Sequence, residues 1–144
     1  MSVVTGSVYI TPGGEQRVYS DETTGNDKVI SVPAGRRWQI LWIFCNFQTT
    51  ATVGNRLLLL EIRDRNNDVR YKERAPNTQS ESDNLDYVFA PGYVRGTTTG
   101  QYMACLPCLT VLGHGWDIRI RDAYNVDAND TLKVYVVVLE DEDI

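Results

Sequence analysis

Three cysteines and a single histidine are the residues of this chain with the clearest capacity for chemistry. Cys105 and Cys108 form a Cys-x-x-Cys pair, and Cys45 and His114 could complete a four-ligand zinc site with it. Zinc ribbons and knuckles usually have two paired knuckles, whereas this one pair straddles Pro107 in an apolar run. No βαβ pattern surrounds it, so a thioredoxin-like redox role is not indicated. We interpret the cysteines as reduced, small apolar residues and predict no metal or other cofactor.

A second group of candidate ligands lies in the acidic segment Asp122–Asp130. Asp122, Asp127 and Asp130 supply carboxylate oxygens of the kind that calcium prefers, and they are the metal candidates of this chain. The segment lacks the glycine and the terminal glutamate of an EF-hand loop. Asp and Asn in loops between strands more often accept hydrogen bonds from their own backbone, and this is the interpretation that we favour.

The sequence contains no pattern that predicts catalysis. There is no Gly-x-Ser-x-Gly elbow, and His114 stands between two glycines in a predicted turn. A carboxylate pair for glycoside hydrolysis depends on distances in space, and nothing in the sequence nominates one. We therefore expect a protein that is not an enzyme.

Aromatic residues are more suggestive, because Tyr, Trp and Phe are enriched at protein interfaces. Trp42, Phe44 and Phe47 lie in the most apolar run of the chain. Tyr93 and Tyr102 bracket a polar loop rich in Thr and Gly. These five residues are our candidates for contact with a protein partner.

The elements that would position these residues are strands. Two apolar runs, Trp38–Phe47 and Leu57–Ile62, flank the polar segment Thr49–Asn55, and this arrangement predicts a β-hairpin. Strict alternation along the first run predicts two apolar faces. One face would carry Trp38, Ile40, Trp42 and Phe44, and the other Leu41, Ile43, Cys45 and Phe47. A strand that is apolar on both faces is either central in a sandwich or carries an interface on its second side.

About eight strands at even spacing, with no helical periodicity, predict an all-β fold. We expect a single-domain β-sandwich of jelly-roll type, because long polar loops suit that topology. Residues 1–28 would form an extended N-terminal arm or edge strands, residues 29–139 the sandwich, and residues 140–144 an acidic tail. Trp116, Ile118 and Ile120 would face the core.

Length and charge restrict the classes of function. A chain of 144 residues forms one domain and buries enough surface to fold without disulfides or metals. The net charge of −5, with basic residues interleaved among acidic ones, argues against nucleic-acid binding. No apolar run is long enough to span a membrane, and the first residues have no basic or apolar region of a secretory signal. We expect the protein to remain in the cytoplasm where it is made.

An ordered set of segments resembles small structural proteins of tailed bacteriophages. The segments are VPAGRRW, TTATVGNRLLLLEIRD, YVFAPG, LPCLTVLGHGWDIRIRD and VDANDTLKVYVVV, which together cover Val32–Val138 in pieces. The chain departs from this pattern at Cys105 and Cys108, where a plain Leu-Pro apolar strand is expected, and the resemblance therefore implies that the Cys-x-x-Cys pair is incidental. The N-terminal arm and the acidic tail lie outside the resemblance.

The resemblance implies a virion component made in the host cytoplasm. The leading hypothesis is a capsid decoration, or cement, protein that binds the assembled shell through the major capsid protein or other virion proteins and itself forms a homotrimer. A second hypothesis is a neck or tail adaptor, or a small fibre or baseplate module. A third is a carbohydrate-binding module of the receptor-binding apparatus. An enzyme such as a glycan hydrolase is the fourth and least supported.

Overall fold

The computed structural model describes residues 14–107 and 111–142, and the ordered elements of this part of the chain are β-strands. The first six strands are β1 (Glu15–Asp21), β2 (Asp27–Ser31), β3 (Arg36–Gln48), β4 (Leu58–Arg63), β5 (Val69–Arg74) and β6 (Asn84–Pro91). The remaining strands are β7 (Gly96–Thr98), β8 (Gln101–Leu106), β9 (Val111–Leu112), β10 (Asp117–Asp122) and β11 (Thr131–Glu142). Within these described residues no helix is long and apolar enough to cross a membrane.

The strands form two sheets whose order is that of a jelly roll. The large sheet runs β1-β11-β3-β6-β8-β7, with β9 also paired to β3, and the small sheet runs β2-β10-β4-β5. Without the short strands β7–β9, eight strands remain, which can be counted from one to eight in chain order. Strands one, eight, three and six of this count then form one sheet, and strands two, seven, four and five form the other. This order is the jelly-roll arrangement. The predicted β-sandwich is confirmed.

The core lies between the inner faces of the two sheets. Trp38, Phe47 and Phe89 from the large sheet and Leu60 and Ile118 from the small sheet are almost completely buried. On β11 the core face is formed by Leu132, Val134, Val136 and Val138, which are all buried. Period-two burial of this kind is what a strand with one face on the core requires.

The predicted hairpin between the two apolar runs is wrong. β3 pairs with β11 and β6 in the large sheet, whereas β4 pairs with β10 and β5 in the small sheet. The segment between them crosses from one sheet to the other. Both runs are apolar because β3 and β4 pack against the core from opposite sides. Two strands that stack across a core have the same apolar pattern as two strands that pair side by side.

The predicted faces of β3 are also wrong, because the strand contains a β-bulge. Val137 lies opposite Trp42, but its neighbour Val138 lies opposite Ile40, so Leu41 is an extra residue without a partner. One extra residue reverses the alternation beyond it. As a result Trp38 and Ile40 share the core face with Ile43, Cys45 and Phe47, while Trp42 and Phe44 point away from the core.

The two ends of the described chain are paired strands of the large sheet. Of the arm or edge strands expected for residues 1–28, Glu15–Asp21 forms the edge strand β1, paired along its length with β11. The expected acidic tail is the end of β11 through Glu142, and residues 1–13 and 143–144 lie outside the described residues. Glu140 is buried and accepts hydrogen bonds from Trp38 Nε1 at 3.0 Å, Arg17 Nε at 3.0 Å and the Tyr19 hydroxyl.

The protonation of Glu140 follows from these contacts. Burial alone would raise the pKa of this carboxyl, but the donors Tyr19 and Trp38 and the nearby charge of Arg17 outweigh it and hold the pKa below its usual value. The carboxylate therefore fastens the edge strand β1 to β3 across the end of β11.

Four connections between the sheets meet at Arg56, whose side chain is fully buried. Its guanidinium donates to both carboxylate oxygens of Asp130, at 2.9 and 3.1 Å, in the β10–β11 connection. Its backbone N–H and carbonyl each bond to Gln79, at 2.8 Å, in the β5–β6 connection. Gly25, in the β1–β2 connection, donates its N–H to the Asp130 carbonyl at 2.9 Å.

The β3–β4 connection itself closes around the same guanidinium. Arg56 Nη1 donates to the carbonyls of Thr52 and Gly54 at 2.8 and 2.7 Å. Thr50 donates its N–H to Asp130 Oδ1 at 2.8 Å. Every donor on the guanidinium fork therefore has a partner from a loop, which is the condition under which a buried ion pair is tolerated.

We expect Arg56→Met to lower the free energy of unfolding by about 3–5 kcal/mol, because it leaves the Asp130 carboxylate buried without its counter-ion. Urea unfolding followed by tryptophan fluorescence measures this loss. The matched control is Arg37→Met, whose ion pair with Asp141 is largely exposed and should contribute less than about 1 kcal/mol. Equal losses in the two variants would contradict the role given to Arg56.

A candidate assembly interface

The outer face of the small sheet is covered by ion pairs between neighbouring strands. Arg119 on β10 pairs with Asp27 on β2 at 2.6 Å, and Arg63 on β4 pairs with Asp117 on β10 at 2.8 Å. The Arg119 guanidinium, as a hydrogen-bond donor, holds the pKa of Asp27 below its usual value. Asp117 faces outward but is buried beneath Arg63. Arg63, Arg119 and Arg121 on this face are each paired with a carboxylate, and this charged surface suits contact with water.

The outer face of the large sheet is different, because its middle rows are apolar. One row crosses the sheet from Val18 on β1 through Val137 on β11 to Trp42 on β3. Val18 is 58% exposed and Trp42 is 42% exposed. Val137 between them is only 6% exposed, so Val18 and Trp42 supply the exposed apolar surface of this row.

The adjacent row is apolar along almost its whole length. Strand pairing aligns Tyr135 on β11 with Phe44 on β3, then with Val88 on β6 and Met103 on β8. The rings of Phe44 and Tyr135 lie 5.9 Å apart between centroids and are tilted by 47°. All four side chains are half-buried by one another and remain partly open to solvent.

These rows have a polar border on one side and a mixed polar and apolar border on the other. On one side the next row is Lys133, Asn46 and Asp86, and Asn46 Nδ2 donates to Asp86 Oδ1 at 2.8 Å. On the other side lies a shallow depression of about 230 Å³. It is lined by Gly14, Arg37, Gln39, Val111, Leu139 and Asp141. An apolar centre with aromatic residues and a polar border is the usual anatomy of a protein interface. We call this surface the apolar face.

Two of the five predicted contact residues lie on the apolar face. Trp42 and Phe44 are there because the bulge at Leu41 turns them outward. Phe47 is a correction, because it is fully buried in the core and has no surface to offer a partner.

The two tyrosines lie elsewhere. Tyr93 is exposed in the turn after β6. Tyr102 is half-buried against the core, with its hydroxyl donating to the Thr78 carbonyl at 2.9 Å and its ring edge-to-face with Tyr87. The residues that sequence reasoning missed are Val18, Tyr135, Val88 and Met103. Their common signal is the outward position in alternating strands, but grouping them required the pairing of strands distant in sequence.

The three carboxylates proposed as calcium ligands are used instead as acceptors for the protein's own donors. Asp130 pairs with Arg56, and Asp122 accepts backbone N–H groups of Leu57, Tyr124 and Val126 at 3.0 Å each. Asp127 accepts the hydroxyls of Thr50 and Thr52 at 2.5 and 2.6 Å. Among the described residues, no cluster of three or more His, Cys, Asp or Glu side chains could hold a metal ion.

The cysteines considered for zinc are not brought together either. Cys45 faces the core and is fully buried, and burial raises the pKa of its thiol. Cys105 lies between the buried residues Ala104 and Leu106, so its side chain is on the opposite face of the large sheet. Cys108 lies outside the described residues.

The fold and this face together define a jelly-roll domain with one polar and one apolar outer surface. No family model matches the chain, and no curated protein matches it. Among solved structures, it is similar to a chain of turnip yellow mosaic virus, with a TM-score of 0.39 and 8% identity over 99% of this chain and 87% of that one.

A second similar structure is a chain of infectious bursal disease virus, strain Gx, with a TM-score of 0.39 and 9% identity over 97% of this chain and 42% of that one. Likeness at this level shows nothing about function. The jelly-roll assignment rests on the order of the strands.

We expect Phe47→Ala to lower the free energy of unfolding by about 3–5 kcal/mol, because it leaves a cavity in the core. Phe44→Ala, three residues earlier on the same strand, should cost clearly less, because its ring lies on the outer face. Urea unfolding of the two variants compares them directly. A larger loss for Phe44→Ala would show that the bulge at Leu41 is placed wrongly.

Stability should fall steeply in acid. The hydroxyls of Thr50 and Thr52 lower the pKa of Asp127 to about 2, and donation from Thr23, with Lys28 nearby, lowers that of Asp21 to about 2. Carboxyls with a pKa depressed by folding stabilise the folded state above their unfolded pKa of about 3.9, and this contribution disappears as the pH falls towards about 2.

The measurement is the free energy of unfolding in urea between about pH 6 and pH 2. It should be level above about pH 5 and decline below about pH 4. A Thr50→Val, Thr52→Val variant should decline less, whereas Thr97→Val, on the exposed strand β7, should follow the wild type. An unchanged decline in the double variant would contradict the part given to Asp127.

Proposed function

We propose that this chain is a non-enzymatic structural protein of a virus particle, most specifically a decoration protein on the capsid of a tailed bacteriophage. The observation that carries the proposal is the contrast between the two outer surfaces. Ion pairs cover the small sheet, whereas the large sheet exposes Val18 and Trp42 beside Phe44 and Tyr135. Exposed apolar and aromatic side chains grouped on one outer surface, rather than scattered singly, favour a site of protein association.

The fold and the sequence support the same class. The jelly roll recurs in viral capsid domains, although lectins and cupins share it. The ordered resemblance to tailed-phage structural proteins covers Val32–Val138 in pieces, and these include the strand that carries Trp42 and Phe44. The partners would be the major capsid protein or other virion proteins, together with further copies of this chain.

Such a protein would act by mass action. A molecule that binds the assembled shell but not its free subunits stabilises the shell in proportion to the logarithm of its own concentration over its dissociation constant. Binding through preformed sheet surface would require little ordering of the domain, which lowers the entropic cost of attachment.

The test is the copy number of this protein in purified particles, measured by quantitative mass spectrometry against the major capsid protein. We expect copies near stoichiometric with the shell. A number from six to a few dozen would instead indicate the neck or tail, and absence from the particle would overturn the proposal.

A matched pair of variants connects the particle to the apolar face. Trp42→Ser should lower occupancy at least about tenfold, since buried aromatic anchors dominate interface energies. Tyr124→Ser removes an aromatic side chain that is 57% exposed in the β10–β11 connection, away from that face, and should leave occupancy unchanged. If the two substitutions lowered occupancy equally, the apolar face would not be the surface through which the protein attaches to the particle.

A further inference from the structure

The polar border of the apolar face carries two opposite charges at matched positions. Lys133 on β11 and Asp86 on β6 lie in one row, each next to Asn46 on the central strand β3. The Lys133 ammonium group has no hydrogen bond or ion pair to any residue that the structure describes, and the Asp86 carboxylate accepts a hydrogen bond only from Asn46 among these residues. A lysine left without a counter-ion beside an apolar patch suggests that its partner belongs to another molecule.

We propose that the apolar face binds a second copy of itself, with a two-fold axis that runs along β3. This names the partner of the surface described above and, for its place in a virion, rests on the proposed function. A two-fold interface joins the same patch of both subunits, so residue i must contact j and j must contact i. An axis along β3 exchanges the β11 side of one copy with the β6 side of the other.

Strand pairing shows that the rows match under this exchange. Lys133 would face Asp86 of the partner subunit, and Asp86 would face the partner's Lys133, which gives two equal ion pairs. In the apolar row, Tyr135 would face Val88 of the partner subunit. The central residues Trp42 and Phe44 would each meet their own counterparts at the axis.

The row beyond the patch follows the same rule. Leu139 on β11 and Val111 on β9 lie on either side of Gln39, and Val111 is 53% exposed. The exchange would place Leu139 on the partner's Val111, so an exposed apolar side chain on one copy is covered by one on the other. Charge and apolar matches therefore occur together in a single arrangement.

The face is large enough for a stable pair. Five strands spaced about 4.8 Å apart and about nine residues long at about 3.3 Å each give a flat projection of roughly 700 Å². Each partner in a standard protein complex contributes about 800 Å² of accessible surface. Two twisted sheets also pack naturally face to face with their strands within about 30° of alignment.

Charge reversal tests both the partner and the register. Lys133→Glu alone would place Glu against the partner's Asp86, and Asp86→Lys alone would place Lys against the partner's Lys133. Each variant should weaken self-association at least about tenfold, because like charges then face each other twice. An equimolar mixture of the two should associate nearly as well as the wild type, because each mixed pair contains two opposite-charge contacts.

The measurement is sedimentation equilibrium of the full chain at low ionic strength, where charge effects are least screened. Lys72→Glu, a reversal at an exposed position on β5 of the small sheet, is the matched control and should associate like the wild type. Trp42→Ser should abolish association. Recovery in the mixture also shows that both single variants are folded.

Several results would overturn the proposal. They are a wild type that remains monomeric at all concentrations, single variants that associate normally, a mixture without recovery, or a trimeric mass. The homotrimer expected from the resemblance would join two different patches and would not place Lys133 on Asp86 in this way. If the protein is monomeric but abundant in particles, the two-fold dimer is overturned and the virion role stands. If it forms the two-fold dimer but is absent from particles, the virion role is overturned and the dimer stands.

Discussion

The buried ion pair between Arg56 and Asp130 is the contact on which the arrangement of the two sheets depends. A jelly roll requires the chain to cross repeatedly between sheets, and each crossing brings polar backbone groups to the end of the core. The Arg56 guanidinium bonds to the β3–β4 and β10–β11 connections, and its backbone N–H and carbonyl bond to the β5–β6 connection. The β1–β2 connection is joined to them because Gly25 donates its N–H to the Asp130 carbonyl. A hydrophobic pair of similar volume would leave the carbonyls of Thr52 and Gly54 without donors. Burying an ion pair brings little net stability. The value of Arg56 and Asp130 therefore lies in the positions of their hydrogen bonds, which hold the crossing segments together.

The sequence predicted the strands well and their pairing poorly. Alternation placed Ile118 and Ile120 of β10 on the core face, because burial on one face is a local property of the sequence. It did not show that β3 and β4 belong to different sheets, because two apolar strands look alike whether they pair or stack. Nor did it show that Glu140 is a buried acceptor, since its donors Trp38 and Arg17 are more than a hundred residues away in the chain. Long-range contacts of this kind carry no local signal.

The candidate interface was predictable only in part, for a related reason. Aromatic residues on a strand with two apolar faces indicated an interface, and Trp42 and Phe44 were named on that basis. Which of the aromatic residues face outward depends on the single extra residue at Leu41, and a bulge of this kind has no clear sequence signature when every neighbour is apolar. Without it, Trp42 would follow Ile40 onto the core face and Phe47 would be left outside. One unpaired residue therefore decides which aromatic side chain completes the core and which is available to a partner.

The edges of the sheets argue that association occurs through the apolar face and not by the addition of strands. The edge strand β5 exposes Arg70, Lys72 and Arg74, and such charged side chains discourage pairing with another chain. On the same side of the sandwich, the last strand of the large sheet, β7, is only three residues long, and the part of β8 that β7 leaves open is bonded by side chains of β5. There Glu73 accepts the Cys105 N–H at 3.1 Å, and Tyr71 donates to the Cys105 carbonyl at 3.0 Å. A chain that protects these two edges while exposing Trp42 has separated two kinds of contact. Edge pairing has no natural limit and leads to aggregation, whereas a two-fold face is complete after one partner has bound.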